Sequence, residues 1–124
     1  MTFLLYISAC LLLLVSFAHS YLGERYILIR LFKRDNLPKL FGNDDFTKRT
    51  LRFAWHLTSV TWVGFAAILL ALAEPNINKV AVLCIIAVTF AIHFIVALVG
   101  SKAKHLSWML FAVVSILSAV AANS

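Results

Sequence analysis

The chain contains an uncharged apolar run at residues 80–100, VAVLCIIAVTFAIHFIVALVG, whose one histidine is His93. A bilayer core about 30 Å thick requires roughly 20 apolar residues of α-helix, so the run is long enough to cross a membrane. Backbone N–H and C=O groups find no partners in lipid, and a helix pairs them within one segment. The run therefore predicts a transmembrane helix.

Three further apolar runs have the length, or nearly the length, of a membrane span. They cover residues 3–22, 53–73 and 103–123. The last is the weakest, because only residues 106–121 are mainly apolar. The links between the last three spans are short, which predicts that these spans are antiparallel neighbours. We therefore predict an all-α membrane protein, an antiparallel four-transmembrane-helix bundle that forms one domain over residues 1–124.

The composition excludes several other classes of protein. Of the 124 residues, 63% are hydrophobic and 13% are charged, whereas a soluble domain is about half apolar and about a quarter charged. A water-soluble globule, a disordered chain and a collagen-like fibre are therefore excluded.

The basic residues are concentrated in one segment. Residues 23–52 contain eight of the eleven Lys and Arg side chains, and Lys102 and Lys104 lie in the last loop. The positive-inside rule places both segments in the cytoplasm, so both termini lie outside. Because topology explains the positive charge, we predict the lipid bilayer as a partner and no nucleic acid.

Residues 23–52 are expected to form a cytoplasmic connector. Its first part, residues 24–34, mixes basic and apolar side chains, which is typical of a helix at the membrane interface; that helix either stands alone or continues the first span. Asp44 and Asp45 are expected to cap a helix that runs into the second span. The connector is either a simple anchor or a docking surface for acidic lipid or a partner, and the sequence leaves both open.

A cleaved signal peptide is the alternative reading of the first span. Residues 18–20, Ala-His-Ser, have the small residues that suit cleavage before Tyr21. A signal peptide carries positive charge before its apolar run, and none is present here, so we favour a retained helix.

Each predicted span carries one histidine in or beside its cytoplasmic half: His19, His56, His93 and His105. Arg52, His56 and Ser59 have helical spacing and share one face of the second span. Ionisable side chains within membrane segments usually face the protein interior and mark functional sites. We therefore predict a polar site formed by His19, His56, His93 and Arg52, and Glu24 is placed to pair with Arg52.

Three roles are compatible with this polar site. Imidazole is a good ligand for haem iron and transition metals, so a haem between His19 and His56, or a metal bound by these two and His93, is one role. Binding of a quinone or another small ligand, or proton transfer, is the second. In the third, the histidines only join helices within a structural or assembly subunit of a membrane complex or a homo-oligomer. The sequence leaves open whether the protein is an enzyme.

The three tryptophans are expected in two environments. Trp55 and Trp108 lie near the predicted cytoplasmic face, where interfacial aromatic residues are common. Trp62 is deeper and is expected to pack between helices.

Two motifs occupy the first half of the chain, AHSYLGE at residues 18–24 and LRFAWHLT at residues 51–58. The pair resembles small bacterial four-span inner-membrane proteins to which no function is assigned. The resemblance implies the four-span fold and the cell inner membrane as location, and it implies no reaction.

Overall fold

The computed structural model describes all 124 residues and contains four helices and no strand. The helices are α1 (Thr2–Leu31), α2 (Asp45–Ala73), α3 (Lys79–Gly100) and α4 (Ser107–Ala122). The prediction that the chain is all-α is therefore confirmed.

Three of the helices, α1, α2 and α3, are long and apolar enough to cross a membrane. The fourth helix is apolar but has 16 residues, fewer than the roughly 20 that a perpendicular crossing requires. It begins at Ser107 instead of residue 103, because Lys102 and Ala103 adopt φ angles of 52° and 61°. Such left-handed residues do not continue a right-handed helix.

Apolar side chains cover the outside of the molecule. Only 14 of the 124 residues are buried, and Phe17 and Leu110 are 75% and 69% exposed. A soluble monomer rarely exposes so much continuous apolar surface. Together with the three long apolar helices, this surface indicates a membrane protein.

The first helix continues beyond the predicted end of the first span. Regular α-helix covers Thr2–Leu22, a π-helical segment covers Gly23–Leu28, and Ile29–Leu31 form the last turn. Of the two alternatives for residues 24–34, the structure therefore has the one in which most of them extend α1. Single π-helical turns inside longer helices often occur at functional sites.

The second helix begins where the run of acidic residues predicts. The backbone N–H of Asp45 donates to Asn43 Oδ1 at 3.0 Å. Lys48 pairs with Asp44 at 2.7 Å, and Arg49 pairs with Asp45 at 2.9 Å, both four residues apart. Such pairs lie on the same helix face and stabilise the first turns.

The helices pack in chain order, α1 on α2, α2 on α3 and α3 on α4. No Cα of α1 approaches a Cα of α3 or α4 within 8 Å, so the four helices do not surround one common core. Close approach depends on small side chains, as at Gly64, where an added Cβ would lie 2.6 Å from Thr89 Oγ1. The expected bundle is thus an open row, because each helix offers such a surface mainly to its neighbours in the chain.

Candidate functional site

A chain of polar side chains joins α1 and α2. Arg52 Nη2 lies 2.8 Å from Glu24 Oε1, and Arg52 Nε donates to Glu24 Oε2 at 3.2 Å. His56 Nε2 lies 3.2 Å from the same carboxylate oxygen, and His56 Nδ1 lies 2.9 Å from Ser20 Oγ. Ser20 Oγ donates to Ser59 Oγ at 2.8 Å. We call these five residues the polar chain.

The polar chain confirms two expectations from the sequence. Arg52, His56 and Ser59 do share one face of α2, and that face contacts α1. Glu24 does pair with Arg52. The chain runs from the partly exposed Arg52 side chain, 49% accessible, to the buried Ser59 hydroxyl, so an exposed charged end is connected to the helix interface.

The hydrogen bonds of the polar chain can be arranged in two ways. A neutral His56 donates from Nε2 to Glu24 and accepts at Nδ1 from the Ser20 hydroxyl. A protonated His56 donates from both nitrogens, and Ser20 then donates to Ser59, the direction in which that bond is oriented here. His56 is thus the one member of the chain whose proton state reverses the direction of its neighbours' hydrogen bonds.

Gly23 sets the contact between α1 and α2 beside the polar chain. A Cβ at this position would collide with the indole ring of Trp55, at Nε1 and the neighbouring ring carbons. The absence of a side chain lets the indole lie directly against the helix backbone. Trp55 Nε1 donates from there to the carbonyl oxygen of His19 at 3.0 Å. Trp55, expected at the membrane interface, therefore packs between α1 and α2.

A cleft of about 630 Å³ opens beside the polar chain, between the end of α1, the start of α2 and the end of α3. Arg52 and His56 line it together with Lys48, Arg49 and Asp45, so three cations and one carboxylate face the cavity. The opposite wall is apolar and includes Phe32, Val96 and Val99. We call this cavity the basic cleft.

The cations of the basic cleft retain free donors although each has an acidic partner. Arg52 uses Nε and Nη2 on Glu24, and its guanidinium also lies 4.9 Å above the Phe32 ring. Arg49 uses only Nε on Asp45, which leaves both Nη groups. Lys48 Nζ contacts one oxygen of Asp44 and has three donors. An anion entering the cleft would therefore find N–H groups without breaking the ion pairs.

His19 lies outside the polar chain. Its ring stacks on Trp55, with centroids 4.5 Å apart, and meets the edge of Trp62 at 5.0 Å. Its Nε2 is buried without a hydrogen-bond partner. Trp62 therefore packs between helices as predicted.

His93 joins α3 to α2 and is only 5% exposed. Its Nδ1 lies 2.8 Å from the carbonyl oxygen of Thr89, and its Nε2 lies 2.9 Å from Thr61 Oγ1. A carbonyl only accepts, so Nδ1 carries the proton and Nε2 accepts from the Thr61 hydroxyl. Both ring nitrogens are occupied, and the contacts are those of a helix-joining residue.

The structure does not bring His19, His56 and His93 together. No group of three or more His, Cys, Asp and Glu side chains is placed to hold a metal ion. His56 and His93 already use both ring nitrogens, so neither offers a free nitrogen to haem iron or to a transition metal. The residues present do not fit the expected haem or metal centre, because rotation about each helix axis points the three rings at different neighbours.

Sequence reasoning left three contributors out of the predicted site. Glu24 bridges Arg52 and His56, and its spacing of four residues from Ser20 places both on one face of α1. Lys48 and Arg49 line the basic cleft, but their order in the sequence indicates only a charged connector. Their position against α3 depends on tertiary packing.

Comparison with protein-family models, with curated proteins and with solved structures finds no match for the chain.

Proposed function

We propose that this is a multi-pass protein of the bacterial inner membrane, with four antiparallel spans and both termini outside. The pairing of Glu24 with Arg52 and of Ser20 with Ser59 supports an antiparallel α1 and α2, since one number rises as the other falls. The basic residues of the connector and Lys102 and Lys104 support a cytoplasmic side. For the short fourth helix, tilting of its neighbours or local thinning of the bilayer accommodates the mismatch.

The function that the geometry supports best is binding of an anionic amphipathic ligand in the cytoplasmic leaflet. Arg52, Arg49 and Lys48 hold the headgroup, and the chain of the ligand lies along the apolar α3 wall at Val96 and Val99. Guanidinium groups suit phosphate because their N–H groups match its oxygens in pairs. The ligand class is therefore a phosphate-bearing lipid.

One observation carries this proposal. The basic cleft combines cations that retain free N–H groups with an apolar wall at the end of the membrane-spanning helices. A soluble phosphate compound would need no such wall, and a neutral lipid would need no such cations. An anionic lipid uses both, and basic pockets on the cytoplasmic side of membrane helices are suited to acidic headgroups.

Glu24 regulates access to the strongest donor. Its carboxylate holds Arg52 through two contacts and also contacts His56. Like charge repels the incoming phosphate, so Glu24 opposes binding while it orients the guanidinium. Removing this carboxylate frees Arg52 without changing the shape of the cleft.

The proposal is tested with purified protein in neutral detergent, by titration with phosphatidylglycerol and with phosphatidylcholine of the same chains. We expect saturable binding of the anionic lipid alone, and roughly tenfold weaker binding by Arg52→Gln, the loss of one charge-assisted hydrogen bond. Lys102→Gln, which removes a cation outside the cleft, is the matched control. Inorganic phosphate distinguishes a headgroup site from a lipid site, and equal binding of both lipids would overturn the proposal.

A structural role is the second candidate, and the contacts of His19 and His93 favour it. Both rings join neighbouring helices and neither lines the basic cleft. If the protein is only an assembly subunit, substitutions at Arg52 will leave lipid binding unchanged. Substitutions at His93 will then lower function only as far as they lower stability.

A further inference from the structure

A second cavity lies on the opposite face of α2 from the polar chain. It has a volume of about 500 Å³ and lies between α2, α3 and α4. Along α2 its lining extends from Thr50 to Trp62, which is about 18 Å at 1.5 Å per residue. Its walls include Phe53, Phe90 and Phe111, and no Lys, Arg, Asp or Glu lines it. We call it the aromatic groove.

One end of the aromatic groove carries polar groups that lack partners. Thr50 Oγ1 is buried without a hydrogen bond. The backbone N–H of Ser107 donates to His105 Nδ1 at 3.3 Å, so Nδ1 is an acceptor and the ring proton of a neutral His105 is on Nε2. No hydrogen bond of His105 Nε2 is present. Two donors therefore line the same end, and buried groups of this kind are normally satisfied by something.

The other end of the groove is satisfied and aromatic. His93 Nε2 already accepts from Thr61, and the rings of Phe90 and Phe111 lie 5.2 and 5.3 Å from the His93 ring. Trp62 closes this end. A ligand would meet flat apolar surfaces here and would find no free donor.

We propose that the aromatic groove binds a lipid-soluble quinone. The ring carbonyls accept hydrogen bonds from Thr50 and from His105 Nε2–H, and the apolar tail runs towards Trp62. The absence of cations excludes an anionic headgroup, and the two free donors exclude a bare hydrocarbon. Flat aromatic walls favour a ring ligand. This site is independent of the basic cleft, and neither proposal needs the other.

Tryptophan fluorescence tests the quinone site. In a Trp55→Phe, Trp108→Phe protein, Trp62 is the remaining tryptophan, and quinones quench indole emission on contact. We expect titration with a decyl-tailed benzoquinone to quench it saturably, with one quinone bound per chain. Thr50→Val and His105→Phe should each weaken binding about tenfold, since each removes one hydrogen-bond donor.

Three controls make the outcome decisive. Thr50→Ser keeps the hydroxyl and should bind like the parent, and thermal unfolding should show that Thr50→Val remains folded. Arg52→Gln should leave quinone binding unchanged, which separates this site from the basic cleft. Quenching that does not saturate, or that is equal in the parent and in Thr50→Val, would overturn the proposal, as would equal protection from quenching by decanol, which lacks a ring.

Discussion

The imidazole of His19 stacks on the indole of Trp55, with ring centroids 4.5 Å apart and planes 4° from parallel. Trp55 Nε1 donates to the His19 carbonyl, while His19 Nε2 is buried and unpaired. The ring of His19 therefore stabilises the α1–α2 contact through its shape. Its Nε2 contributes nothing that a carbon atom would not.

The first prediction follows for His19. His19→Phe keeps a flat ring on Trp55 and removes an unpaired polar atom, so we expect its free energy of unfolding to stay within about 0.5 kcal/mol of the parent or to rise. His19→Ala removes the ring and should cost about 2–3 kcal/mol. Thermal and denaturant unfolding in detergent measures both, and equal destabilisation by the two substitutions would show that Nε2 has a partner.

The helices could be predicted from the sequence because apolar runs are a local property. The start of α2 at Asp45 and the cap of α3 at Asn78, whose Oδ1 accepts from Ala81 N at 2.7 Å, follow from residues a few positions apart. The shared face of Arg52, His56 and Ser59 follows from the 3.6-residue period.

The partners of those faces could not be predicted in the same way. His19, His56 and His93 lie at similar predicted depths, yet they contact Trp55, Glu24 and Thr61 respectively. Depth follows from the position of a residue along a helix, whereas the direction of its side chain depends on how neighbouring helices pack. The haem and metal hypotheses required both, and only depth was available.

The second prediction concerns the close approach at Gly23. Gly23→Ala places a methyl group in the volume of the Trp55 indole, and overpacking of this kind costs about 1–3 kcal/mol. In a Trp55→Ala background the collision disappears, so the same substitution should become neutral or mildly stabilising. A double-mutant cycle on unfolding free energies measures the difference, and additive effects would contradict the contact.

The third prediction separates two threonines on α2. Thr61 Oγ1 lies 2.9 Å from His93 Nε2 on α3, whereas Thr58 Oγ1 donates only to Ala54 O of its own helix, at 3.4 Å. Thr61→Val should lower the free energy of unfolding by about 1 kcal/mol, the scale of an interhelical hydrogen bond in a membrane protein. Thr58→Val, the matched control, should change it by less than about 0.5 kcal/mol. Similar losses at both positions would mean that the bond to His93 contributes little.

The fourth prediction concerns topology. If residues 32–44 are cytoplasmic, then Asn36→Cys should react with a membrane-impermeant maleimide only after the cells are opened, and Asn76→Cys should react in intact cells. A reporter fused after Ser124 should be active on the outside, because the positive-inside rule orients the chain by its basic segments. A cytoplasmic reporter after Ser124 would show that α4 does not cross the membrane.

The last prediction concerns Glu24, which holds Arg52 and opposes an incoming anion. Glu24→Gln keeps the size of the side chain but removes the charge, so phosphatidylglycerol should bind about threefold to tenfold more tightly, on the scale of a partly exposed ion pair. Stability should fall by no more than about 1 kcal/mol, because the Arg52 and Glu24 side chains are 49% and 30% exposed. Glu74→Gln, which removes a carboxylate from the distant α2–α3 turn, is the matched control. Weaker lipid binding by Glu24→Gln would show that Glu24 serves the site by orienting Arg52, and that its charge does not oppose the ligand.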